Sequence, residues 1–68
     1  MEKVVKQHEM FLSIMIDKMK KDNTFKLDYD YIYDSYFKEY PMFKDCTVSR
    51  SLMQNIISIK LMKLESNL

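Results

Sequence analysis

Glycine, alanine and tryptophan are absent from this chain, and proline, cysteine, histidine and arginine occur once each. Each shortage removes a class of chemistry. Without glycine there is no glycine-rich loop to cradle a phosphate and no glycine turn to close a tight β-hairpin. A single cysteine, Cys46, forbids a disulfide within the chain, and a single histidine, His8, leaves a Cys/His zinc set short of ligands. The same scarcity starves any nucleophile–base pairing. No cofactor and no metal are therefore expected, and the protein is read as non-enzymatic.

Charge of one sign is also lacking. The net charge is +1, which provides no basic field for nucleic acid and no strongly acidic one either. No apolar run approaches the ~18 residues of a membrane span. The segment Met10 to Ile16 is interrupted by Ser13, and no small-residue cleavage site follows it, so a signal peptide is not expected. A reducing cytoplasm, of the producing or infected cell, is the expected setting.

What is present is lysine, isoleucine, asparagine, methionine, phenylalanine and tyrosine, together about half of the 68 residues. AT-rich codons specify these residues, and the missing ones need GC-rich codons. The bias points to an AT-rich bacterium, its phage, or another AT-rich virus or parasite. A chain this short forms one domain and buries little of its surface. With no disulfide or metal to help, it needs tight helical packing, self-association or a protein partner.

The periodicity predicts an all-α fold of three helices, with a short extended segment before the second. Val4, Val5, His8, Phe11, Leu12, Met15, Ile16 and Met19 recur at three- and four-residue spacing. Lysines then precede Asn23, which suits a left-handed cap. Met10 and Ile14 widen the apolar face. Phe25, Leu27, Tyr29, Tyr31 and Tyr33 alternate with polar residues as in a strand. However, Ile32, Tyr36, Phe37 and Tyr40 keep helical spacing, and Asp28 is a good N-cap. The expectation is an extended lead-in at 25–27 and a helix from about Tyr29 to Tyr40, stopped by Pro41. Residues 42–46 connect, with one helical turn at most. Thr47 or Ser49 caps a third helix whose Leu52, Met53, Ile56, Ile57, Ile59, Leu61 and Leu64 cover more than half a cylinder. Apolar faces this wide on the first and third helices imply a homo-oligomer. Methionine is read as adaptable core filling, His8 as a boundary residue and Cys46 as a small buried hydrophobe. The tail 65–68 is read as frayed.

Two stretches carry candidate function. All five tyrosines fall between Lys26 and Phe43, together with Asp28, Asp30, Asp34 and Glu39. Three helices cannot bury five tyrosines, so some rings must lie at the surface beside carboxylates. Tyrosine supplies interface area and a hydroxyl at low entropy cost. Tyr29, Asp30, Tyr33, Asp34, Tyr36 and Glu39 are thus the expected face for a protein partner with a basic surface. This suits a small binding protein, such as a phage- or virus-encoded inhibitor or modulator of a larger host protein.

The second stretch, "TVSRSLMQNI", resembles the recognition helix of helix-turn-helix DNA-binding proteins, with apolar Val48, Met53 and Ile56 where that motif wants them. The resemblance implies a transcriptional regulator using Ser49, Arg50, Ser51, Gln54 and Asn55 on phosphates and base edges. The sequence departs from the motif where Phe43 and Thr47 replace its small residue and its turn glycine, and where Pro41 breaks the preceding helix.

Overall fold

The computed structural model describes residues 2–66. Three α-helices account for most of them: α1 Glu2–Lys21, α2 Tyr29–Glu39 and α3 Thr47–Ser66, with a 3-10 turn at Pro41–Phe43 between the last two. There is no strand among the described residues. The alternation at 25–33 resolves into an irregular lead-in followed by helix.

The reason lies in the caps. Asp28 holds an extended backbone, and its carboxylate accepts from the amides of Asp30 at 2.9 Å and Tyr31 at 3.3 Å. Those two donors have no partner inside the helix, so a side-chain acceptor starts α2 there. At the other end Tyr40 leaves helical geometry immediately before Pro41. The end of α1 is a left-handed cap without glycine. Asn23 takes φ 60°, the Thr24 amide donates back to the Met19 carbonyl at 2.9 Å and the Asn23 amide to Lys20 at 3.3 Å. That double closure is the Schellman arrangement. Lys18, Lys20 and Lys21 add favourable charge in the last turn.

The start of α3 corrects one expectation. Neither Thr47 nor Ser49 precedes the helix: α3 begins at Thr47, and the Cys46 carbonyl accepts its first helical bond, from Arg50 at 3.0 Å. Cys46 therefore occupies the cap position and is exposed, not the buried hydrophobe its residue type suggests. Its thiol is shifted below the usual range, chiefly by the Ser49 hydroxyl and then the Ser49 amide.

The core draws on every helix: Leu12, Met15, Ile16 and Met19 from α1, Ile32, Tyr36 and Phe37 from α2, and Met53, Ile56 and Ile57 from α3. Burying each aliphatic side chain contributes about 1.5–3 kcal/mol. α3 packs against both other helices. The methionines divide: Met15, Met19 and Met53 fill the core, whereas Met10, Met42 and Met62 are exposed.

His8 also departs from expectation, being 2% exposed. Its Nδ1 lies 2.6 Å from the Tyr36 hydroxyl and its Nε2 lies 3.3 Å from Ser49 Oγ. One polar side chain from each helix thus meets inside the bundle. A neutral imidazole satisfies both contacts, one ring nitrogen donating its N–H to a hydroxyl oxygen and the other accepting from a hydroxyl. Burial moves His8 below its ordinary pKa and Tyr36 well above its own. Both shifts favour the neutral forms that this chain of hydrogen bonds requires.

Candidate functional site

The aromatic residues of α2 form a ladder. Tyr29 stacks on Tyr33 with ring centroids 5.8 Å apart, and Tyr33 meets the edge of Phe37 at 4.9 Å. These three stand at four-residue steps, so they share one flank of the helix. On the core side Tyr36 contacts Phe37 and Tyr40, and Tyr40 contacts Phe11 of α1. The five tyrosines divide between core and surface, with Tyr31 outside the ladder under the Lys26 ammonium at 5.2 Å. Tyr36 is wholly buried, and Tyr29, Tyr31, Tyr33 and Tyr40 are half-buried with part of each ring in solvent.

Asp30 and Asp34 are exposed beside the outer rungs Tyr29 and Tyr33. Tyr29 has its pKa raised, first by burial and then by Tyr33 and Asp30. Tyrosine is already neutral across the physiological range, and the shift widens that margin.

The flank opens into a cleft of about 570 Å³ between α2 and the start of α3, lined by Tyr33, Asp34, Phe37, Lys38, Pro41, Lys44 and Arg50. Tyrosine, phenylalanine and proline supply its apolar surface, with three cations and one carboxylate around them. Arg50 also bonds locally, Nη2 donating to Thr47 Oγ1 at 3.3 Å.

The residues predicted from sequence are therefore divided. Tyr29, Asp30, Tyr33 and Asp34 form one continuous surface. Tyr36 leaves that surface: it is 0% exposed and its hydroxyl is committed to His8. Glu39 leaves it too, because it falls on the opposite flank of α2. There it faces Lys18 of α1 at 3.9 Å across a second cleft of about 350 Å³ that also includes Tyr31. That ion pair is well exposed on both sides and contributes little.

Of the helix-turn-helix set, Ser49 is removed, since it is buried and bonded to His8. Arg50, Ser51, Gln54 and Asn55 remain exposed. The two candidate stretches are joined through space, because Arg50 shares its cleft with Tyr33 and Asp34. Lys38 and Lys44 were not among the residues predicted. Lys38 was within reach, being four residues after Asp34 on the same helix. Lys44 arrives only because the turn after Pro41 folds the chain back.

Among the described residues no group of three or more His, Cys, Asp or Glu side chains is placed to hold a metal ion. No described helix is long and apolar enough to cross a membrane. No protein family, curated protein or solved structure matches this chain.

Proposed function

We propose that this is a small non-catalytic protein-binding module that modulates a larger protein, in the manner of a phage- or virus-encoded inhibitor, by docking the outer flank of α2. The observation that carries the reading is the half-buried Tyr29–Tyr33 stack with exposed Asp30 and Asp34 beside it. Rings held in place by packing offer apolar area with little left to order on binding. The adjacent carboxylates select a basic segment and steer its approach. The 570 Å³ cleft beside Tyr33, with Lys38, Lys44 and Arg50 around its apolar surface, suits apolar or acidic side chains of the partner, and the basic segment lies along Asp30 and the outer rungs.

Asp30→Lys combined with Asp34→Lys should abolish capture of the partner and leave the helical circular dichroism spectrum unchanged, because both sites are exposed. The rival reading, a helix-turn-helix regulator, is less well supported: Ser49 faces inward and a carboxylate shares the cleft with Arg50. A gel-shift series separates the two. Tight DNA binding that weakens steeply with salt, is lost in Arg50→Ala and is kept in the aspartate double variant would establish the rival.

A further inference from the structure

α3 carries apolar residues on a second side that the bundle leaves largely exposed. Its core side carries Met53, Ile56 and Ile57. Its other side carries Val48 and Ile59, each 54% exposed, and Met62, 68% exposed, with Leu52 at the border, partly buried and packed against the core. A helix that is apolar on two sides is normally covered on two sides. Along the outer side Val48, Leu52, Asn55, Ile59 and Met62 follow at steps of four, three, four and three residues. That is the seam spacing of paired helices, sustained over fifteen residues and about four turns.

The stripe is also symmetric to within one residue about its one polar member. Val48 and Met62 lie seven residues to either side of Asn55, and Leu52 and Ile59 lie three before it and four after. Laid antiparallel on a copy of itself with Asn55 against Asn55, the stripe sets Val48 level with Met62 and Leu52 within one residue of the level of Ile59. Two facing carboxamides can satisfy each other, whereas any slip in register would leave each one against aliphatic carbon. Charge selects the direction. Lys63 flanks the stripe, and a parallel pair would hold Lys63 of both copies at one level. The antiparallel pair sends them to opposite ends, each within two residues of the level of Asp45 of the other copy. Glu65 lies off the stripe. The helix dipoles also oppose in that arrangement.

We infer that α3 is the dimerisation helix of this protein and that the occupant of its outer face is a second copy, paired antiparallel about Asn55 across a two-fold axis. Such a contact is self-complementary and closed. It gives a short chain without disulfide or metal a second buried apolar layer. The α2 surface plays no part in the contact, so the variant Asp30→Lys/Asp34→Lys should remain dimeric.

Sedimentation equilibrium over a micromolar series tests this. The wild-type chain should be a dimer, and Ile59→Lys should be a monomer with an unchanged helical spectrum. If Ile59→Lys fails to fold, Asn55→Asp keeps the test alive. That exposed polar site tolerates the change, two apposed carboxylates should weaken association by about tenfold or more, and acidification should restore it. Direction is read by oxidative cross-linking in a Cys46→Ser background. Val48→Cys/Met62→Cys should link two chains, and Val48→Cys alone should not. A wild-type monomer at high micromolar concentration, a dimer indifferent to Ile59→Lys or Asn55→Asp, or efficient linkage through Val48→Cys alone would each overturn the proposal.

Discussion

His8 is the residue on which all three helices converge. It touches the Tyr36 hydroxyl, the Ser49 hydroxyl and the edge of the Phe43 ring at 4.8 Å. No carboxylate is among these contacts, so protonation would place an uncompensated charge in the bundle. The folded-state pKa lies below the ordinary 6.5 because of burial. The unfolded chain therefore binds this proton first as pH falls, and stability declines with it. His8 contributes fully above pH 6.5 and progressively less below it, down to its lowered folded value. Urea midpoints measured at neutral pH and near pH 5 should show this loss, and His8→Phe should remove the part of the slope between those two conditions. Tyr36→Phe addresses the same group at fixed pH. It leaves Nδ1 buried without its hydrogen-bond partner and should cost about 1–3 kcal/mol in denaturant unfolding. A cost near zero would mean that water replaces the hydroxyl.

At the scale of the elements, the ends decide more than the middles. α2 has only 11 residues, too few to be stable alone. Its boundaries come from Asp28 at one end and Pro41 at the other. Asp28→Ala should lower stability by about 1 kcal/mol in a thermal melt. Asn23 invites the opposite test. Because it holds φ 60°, Asn23→Gly should be neutral or stabilising, whereas a β-branched residue such as valine there should cost about 1–2 kcal/mol. α3 differs from α2 in leaving Val48, Ile59 and Met62 exposed on the side away from its core residues, and the proposed dimer buries them.

For the whole molecule, the margin is small. Domains are stable by roughly 0.05–0.15 kcal/mol per residue, which for 68 residues is about 3–10 kcal/mol. Leu12 is 0% exposed in the middle of the core, and a Leu→Ala change at such a site costs about 2–5 kcal/mol. Leu12→Ala should therefore lose much of the folded population at physiological temperature, seen as a lower and broader melt. Met10→Ala, at a methionine that is 53% exposed on the same helix, should shift the melt little.

Local chemistry is written in consecutive residues, and so the three helices, the Asp28 cap, the Asn23 cap and the stop at Pro41 could be read without a structure. Each depends on groups within about four positions of one another, which is the reach of helical spacing and of a capping side chain. The acidic tyrosine flank was legible for the same reason, as far as Tyr29, Asp30, Tyr33 and Asp34. The fates of Tyr36, Glu39, Ser49, His8 and Cys46 were not legible. Periodicity assigns a residue to a helix, but which side of that helix meets a neighbour depends on how helices distant in sequence cross. His8 and Tyr36 are 28 positions apart and His8 and Ser49 are 41, and only packing brings such residues within hydrogen-bond distance. The sequence alone determined the three helices and the ends at Asn23, Asp28 and Pro41; the tertiary structure decided the start of α3, which polar side chains are consumed inside the bundle and which remain exposed.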